Sequence, residues 1–228
     1  QITIFFTDHT SGNLLRIRDA ANDFFKSHSM HIDAGSFYLA GGRVGMEIAV
    51  NEEMKRSHFL IDVMVLATIF IMCVVTFYSV VAGLMLIVPL ILANLTAFSY
   101  MSIMDIGLSI NTLPVAAVGV GIGVDFAIYL YSRVIEEYSR QDGWGETILA
   151  AVRTSGTAVV YTGLTLILAM IPWYFLTDLK FQAQMGFFLS MLLLINVILA
   201  LTLHPLLIYI IKPKFISRKS ERMKGDAK

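Results

Sequence analysis

The sequence has little cysteine and little charge for its length. Cys73 is its single cysteine and lies inside an apolar run, which excludes a disulfide framework and a cysteine-based metal site. Charged residues make up 15% of the 228 residues, against about 25% in soluble domains. The formal net charge is zero and the basic residues flank apolar runs, so no nucleic-acid interface is expected. No metal-ligand spacing or convergent catalytic group occurs, which predicts a protein that is not an enzyme and has no metal or other cofactor.

Apolar residues are what the sequence has in excess. They make up 57% of the chain, and the mean hydropathy is +0.72. A soluble domain does not need several separate apolar runs of about 20 residues, the length that crosses a bilayer. The predicted fold class is therefore mostly α, a polytopic membrane bundle of five transmembrane helices. The predicted spans are residues 59–80, 84–104, 112–132, 157–176 and 185–211.

The first 57 residues have a different pattern. Residues 2–7 and 30–40 are typical of strands, and residues 12–28 of an amphipathic helix, so a partial α/β segment is expected outside the membrane. The chain begins with Gln1, and we expect it to be part of a longer polypeptide. The predicted domains are the α/β segment at 1–57, the transmembrane domain at 58–211 and a basic tail at 212–228.

Basic residues are concentrated on one side of the predicted bundle. Arg133, Arg140 and Arg153 lie between the third and fourth spans, and seven more follow the fifth span, whereas the opposite loops carry only Lys180. The positive-inside rule then predicts a periplasmic N-terminal segment and a cytoplasmic tail in a bacterial inner membrane. The tail itself is interpreted as a topology anchor near anionic lipid.

Asp125 is the residue that most needs an explanation. It stands in the third apolar stretch with no other charge nearby. An aspartate at the centre of a spanning helix costs roughly 2.5 to 3.5 kcal/mol, so such a residue is a functional hypothesis by default. A carboxyl group that gains and loses a proton is the simplest way to couple a membrane protein to a proton gradient.

Three glycines precede Asp125 at alternate positions. Gly119, Gly121 and Gly123 remove side-chain bulk, and the spacing of Gly119 with Gly123 predicts close approach of a neighbouring helix. The run lacks the spacing of a dinucleotide-binding loop and follows no strand. An intramembrane aspartyl protease would need a second carboxylate at the same depth, and none is found.

Hydroxyl groups could support Asp125. Tyr129 and Ser132 lie one and two turns further along on nearly the same face, and Tyr161 and Thr162 lie in the fourth span. These four are candidate relay or support residues. Each is also explained as an interhelical hydrogen bond, which is the commoner use of such side chains.

The segment Gly119–Arg133, GVGIGVDFAIYLYSR, followed by Glu136 and Glu137, resembles the proton-carrying helix of the resistance-nodulation-division (RND) superfamily. The nearest branch is the MmpL-like, hydrophobe-exporter group, which is related to sterol-sensing domains. The α/β segment, the five spans and the ending LHPLLIYIIKPKF at residues 203–215 resemble the second of two repeats.

The resemblance implies a proton-driven exporter of lipidic or amphiphilic substrates, with Asp125 as the proton-coupling carboxylate. It also implies protons, the membrane and the N-terminal repeat of the same polypeptide as partners, with a homo-oligomer possible. The family's aspartate is typically followed by tyrosine, whereas this chain has Phe126. The relay would then use Tyr129, a hydroxyl of the fourth span, water or groups of the N-terminal repeat.

Two other classes stay open at the level of sequence. A non-transporting lipid sensor, similar to a sterol-sensing domain, would bind lipid whether or not Asp125 is present. A purely structural bundle would tolerate Asp125→Ala. His204, beside Pro205, is interpreted as an interfacial residue near the inner end of the fifth span rather than a second proton site.

Overall fold

The computed structural model describes residues 11–27, 43–103, 113–141 and 143–226. All the secondary structure within these residues is helical. The two predicted strands lie outside the described residues. The helices are α1 (Ser11–Ser27), α2 (Arg43–Phe77), α3 (Val80–Ile103), α4 (Leu113–Tyr138), α5 (Trp144–Ala151), α6 (Thr157–Phe175), α7 (Lys180–Ile211) and α8 (Lys214–Asp226), with a π-helical turn at Val152–Gly156.

The chain divides into two compact units, Gln1–Leu60 and Ile61–Lys228. In the first unit, α1 begins and ends within one residue of the predicted helix at 12–28. Arg18 forms an exposed ion pair with Asp19 at 2.9 Å. Phe24, an apolar residue of this helix, is 57% exposed.

Five helical segments are long and apolar enough to cross a membrane, as the sequence predicts. They differ from the predicted spans mainly at their ends. The first two are joined by Tyr78 and Ser79 alone. Their bounds are Phe59–Phe77, Val80–Ile103, Pro114–Tyr138, Trp144–Phe175 and Gln182–Ile211.

The region predicted as a loop from Arg133 to Arg153 is largely helical, so that part of the prediction is wrong. Helix α4 continues to Tyr138, and helical structure resumes at Trp144. The physical reason is local pairing of charges. Arg133 lies 2.7 Å from Glu136 and 2.7 Å from Glu137, three and four residues further along the helix. Such pairs stabilise helix in a segment too polar to be recognised as a span.

Helix α4 lies at the centre of the second unit and contributes to both of its apolar clusters. Val124, Leu130 and Tyr131 belong to the first cluster, with buried residues of α2, α3, α5, α7 and α8. Val115 and Phe126 belong to the second cluster, with residues of α3, α6 and α7. Burial of α4 from two directions fixes its rotation about its own axis, and thereby fixes the face that stays uncovered.

Candidate functional site

One face of α4 is left uncovered by the helices around it. We call it the open face and define it as Val118, Gly121, Asp125, Tyr129 and Ser132. Successive members are three or four residues apart, which places them along one side of an α-helix. Gly121 is half-buried and the other four are exposed, Tyr129 with 65% of its surface free.

Asp125 lies midway along the open face. Among the residues that the structure describes, its carboxylate accepts no hydrogen bond and forms no ion pair. A buried carboxylate without a partner would be very costly, and this one is not buried within the chain. Asp125 is therefore exposed on the outer side of α4.

Phe126 points in the other direction. Its side chain is 2% exposed and belongs to the second apolar cluster. A Cβ added to Gly163 of α6 would lie 3.8 Å from its ring. Phe126 is thus part of the packing between helices, and Tyr129 is the aromatic side chain that shares a face with Asp125.

The hydroxyl residues of α6 are exposed but are not joined to Asp125. Tyr161 is 68% exposed and Thr162 is also exposed. Thr165 donates its hydroxyl to the Tyr161 carbonyl at 2.8 Å, a bond within its own helix. No hydrogen bond among the described residues links Tyr161 or Thr162 with Asp125. The structure brings together Asp125, Tyr129 and Ser132, and leaves the α6 pair on a different helix.

The glycines before Asp125 point in two directions. A Cβ on Gly119 would overlap the Leu192 side chain of α7, and a Cβ on Gly123 would lie 2.6 Å from the Asn196 side-chain carbon. Asn196 Nδ2 also donates a hydrogen bond of 3.0 Å to the Gly119 carbonyl. A Cβ on Gly121 would meet nothing within 4 Å. Two glycines thus allow α7 to approach, and the third lies beside Asp125 on the open face.

An ion-pair network lies at the end of α4, and its residues were not predicted to be functional from the sequence. Arg133 contacts both Glu136 and Glu137, and its Nε donates to Thr154 Oγ1 at 3.0 Å. Thr154 lies in the π-helical turn. Arg133 therefore connects α4 to the turn before α6. The acid and base spacing in the sequence could have predicted the pairs along α4, but not the contact with Thr154.

His204 is buried within the bundle, and its interpretation as an interfacial residue stays a prediction. It is 2% exposed and its ring meets Tyr131 edge-on, with centroids 5.6 Å apart. Tyr131 in turn stacks on Phe215 of α8 at 6.3 Å. Because α7 packs against α4, His204 and Ile208 in its final turns are buried, whereas Tyr209 and Ile210 stay exposed. We call Phe77, Tyr131, His204 and Phe215 the aromatic cluster.

The fold and site define an integral membrane protein whose central helix carries an outward-facing aspartate. The MMPL family model matches residues 34–225, and the chain belongs to this family. No solved structure matches the chain significantly.

Three relatives extend this comparison. The chain is 27% identical to the Methanocaldococcus jannaschii membrane protein MJ1562 over 213 residues, 93% of this chain and 54% of that protein. It is 25% identical to membrane protein YdfJ of Bacillus subtilis, over 69% of the chain and 22% of YdfJ. It is 29% identical to the Streptomyces coelicolor membrane protein ActII-3, over 72% of the chain and 25% of that protein. The chain thus spans about half the length of the first relative and about a quarter of the other two.

Proposed function

We propose that this chain is one half of a proton-driven RND-type exporter of lipidic or amphiphilic substrates, with Asp125 as the coupling carboxylate. The observation that carries the proposal is the outward position of Asp125 midway along a spanning helix, with no partner among the described residues. If the Asp125 carboxylate faced lipid directly, insertion of this helix into the membrane would cost roughly 2.5 to 3.5 kcal/mol. A further set of helices packed over the open face, here called the covering unit, removes that cost.

The covering unit is proposed to be the remaining part of the same polypeptide. The M. jannaschii relative is about twice as long as the matched region, which leaves room for a further set of helices. Gly121 beside Asp125 would allow such a helix to approach closely, because no side chain of this unit occupies the space above it. A homo-oligomer is the other possible source of a covering surface.

Protonation of Asp125 removes its charge, and with it the free-energy cost of holding the carboxylate at membrane depth. The two protonation states then favour different packings of α4 against the covering unit, and the proton gradient drives the exchange between them. One charge that crosses a potential of 100 mV supplies about 2.3 kcal/mol. That free energy biases a two-state bundle without completing the switch alone, since a full switch needs about 5.5 kcal/mol.

Tyr129 is the proposed nearest relay group. It lies four residues beyond Asp125 on the open face, with its side chain largely free. Ser132 continues the same polar line towards the end of α4, whereas Tyr161 and Thr162 can take part only if the covering unit bridges the two helices. The proposed membrane is the bacterial inner membrane, with the N-terminal segment periplasmic and the tail cytoplasmic.

The test is gradient-driven transport by the full-length protein in proteoliposomes, comparing wild type with Asp125→Asn. Loss of flux is expected in the variant, because asparagine keeps the size of the side chain but cannot gain and release a proton. Asp178→Asn is the matched control, since Asp178 is exposed between the fourth and fifth spans. Its flux should equal that of wild type.

Unchanged flux in a folded Asp125→Asn protein would overturn the coupling role. Retained lipid binding with no flux in either protein would instead favour the lipid-sensor class. Tyr129→Phe sharpens the assignment further. A relay hydroxyl predicts slower flux with an intact response to the sign of the gradient.

A further inference from the structure

A second site lies at one end of the bundle, away from the open face. A cavity of about 680 Å³ opens between the α2–α3 turn and the junction of α7 with α8. Asp125 is not among its lining residues, and its binding properties are independent of proton coupling. The lining residues that matter are two aromatic rings, Phe77 and Phe215, and four cations, Lys212, Lys214, Arg218 and Lys219.

The charged side chains that line the cavity are all positive. No carboxylate is among its described lining residues, and no ion pair to Lys212, Lys214, Arg218 or Lys219 occurs within the described part of the chain. The cations at the end of α4 are different, since Arg133 and Arg140 both contact glutamates. The cavity therefore concentrates positive charge that the described part of the protein does not neutralise, which favours an anionic ligand.

One of the four cations is held in place. Lys219 donates to the Thr76 carbonyl at 2.9 Å, and its ammonium lies 5.0 Å from the centre of the Phe77 ring. These contacts anchor α8 to the end of α2. Lys214 and Arg218, one turn apart on α8, remain exposed at the cavity. An anion in the cavity would thus meet two free cations, the fixed Lys219 and Lys212, whose ammonium lies 5.8 Å from the centre of the Tyr209 ring.

The depth of the cavity indicates which kind of anion fits. Two spans end beside it, the first at Phe77 and the fifth at Ile211, so it lies at the level of lipid headgroups. Its floor is apolar, because Phe77 and Phe215 pack with ring centroids 5.8 Å apart. A cationic rim above an aromatic floor suits an amphiphile with a phosphate and an acyl chain better than a free ion.

The backbone around the cavity is unusual in a consistent way. Tyr78 and Lys212 are the non-glycine residues with positive φ in the described part of the chain, at 50° and 44°. Both line the cavity. Left-handed backbone is uncommon for residues with bulky side chains. Here it turns the chain sharply at both walls of the cavity.

We propose that this cavity binds the phosphate of an anionic lipid headgroup, with Lys214 and Arg218 as the main contacts. The probe is phosphatidylglycerol, added to the full-length protein in uncharged detergent and followed by native mass spectrometry. Phosphatidylcholine with the same acyl chains is the neutral comparison. Wild type is expected to bind phosphatidylglycerol more tightly than phosphatidylcholine.

The variants test whether the cavity causes this preference. Each cation near a membrane surface is worth about fivefold in affinity, so Arg218→Gln should weaken phosphatidylglycerol binding about fivefold and Lys214→Gln/Arg218→Gln roughly 30-fold. Arg218→Lys should keep the affinity. Arg140→Gln is the matched control, because it removes one cation from the same side of the membrane outside the cavity and should leave binding unchanged. Size-exclusion profiles establish that each variant is folded.

Three outcomes would overturn the proposal. Equal binding of the two lipids by wild type would show that the charge of the headgroup does not affect the affinity. An equal loss in Arg218→Gln and Arg140→Gln would show general attraction to a basic surface. Saturable binding of inorganic phosphate, removed by the same variants and without a preference among lipids, would assign the cavity to a soluble phosphate instead.

Discussion

The packed side and the open face of α4 both contain glycine and a polar side chain, but the packed side is buried against α7 and the open face is uncovered. On the packed side, Gly119 and Gly123 have no room for a methyl group, and Asn196 of α7 is hydrogen-bonded between the helices. On the open face, Gly121 has space around it, and Asp125 is without a partner among the described residues. The difference shows that one glycine run can place residues on both the packed side and the uncovered side of a membrane helix.

The comparison continues at the end of the helix. Glu136 follows Ser132 by four residues and is half exposed, whereas Glu137 is 5% exposed and faces the packed side. Both bind Arg133, yet only Glu137 is enclosed. Two adjacent residues of the same type should therefore respond differently to the same substitution. This allows matched tests along the whole helix.

The largest expected effect is at the packed glycine. Gly123→Ala should lower the free energy of unfolding by about 2 to 4 kcal/mol, because the methyl group displaces Asn196 and breaks its buried bond to Gly119. Gly121→Ala should be neutral or stabilise by up to about 1 kcal/mol, because nothing contacts the added methyl group. Unfolding of the chain in mixed detergent micelles measures both. Equal losses would show that the two faces do not differ in packing.

The adjacent glutamates give the next largest effect. Glu137→Gln should cost about 1 to 2 kcal/mol, because Arg133 loses its enclosed partner at 2.7 Å. Glu136→Gln should cost about 0.5 kcal/mol or less, since its side chain is 42% exposed and the pair is solvated. The same unfolding measurement distinguishes them. A larger loss for Glu136 would mean that this residue, and not Glu137, holds Arg133 in place.

The sequence predicts the number of spanning helices well but their ends less well. Apolar runs of sufficient length indicate five spans, because the bilayer sets that length. The last turn and a half of α4 is rich in charge, from Arg133 to Glu137, and its helicity depends on ion pairs that a hydropathy pattern does not register. Phe24 is a related case, since an apolar stripe predicts a face but not what covers it.

The site was predictable only in part for a similar reason. Helical periodicity places Asp125, Tyr129 and Ser132 on one side of α4, and that relation follows from the sequence alone. Which side packs against α7 depends on the shapes of Leu192 and Asn196, which are distant in sequence. The burial of His204 against Tyr131 likewise results from a contact between two helices, so no local pattern predicts it.

A smaller effect is expected for the amide that joins the helices. Asn196→Ala should lower the free energy of unfolding by about 1 kcal/mol, in the range of interhelical hydrogen bonds in membranes. Ser190→Ala is the control, because the Ser190 hydroxyl donates to the Gly186 carbonyl within the same helix. It should change stability by less than about 0.5 kcal/mol. If the two variants were equally stable, the bond from Asn196 to Gly119 would contribute nothing to the packed side.

The smallest expected change in stability is at Asp125. In this chain alone, Asp125→Asn should leave the free energy of unfolding within about 0.5 kcal/mol of wild type. An exposed side chain without a partner among the described residues has a similar environment in the folded and the unfolded chain. A loss above about 1 kcal/mol would reveal an internal partner for the carboxylate and would argue against an outward role. Unchanged stability, combined with lost gradient-driven flux in the full-length protein, would assign Asp125 to function and not to packing. Asp125 would then differ from every residue on the packed side of the same helix, where loss of activity and loss of stability should occur together.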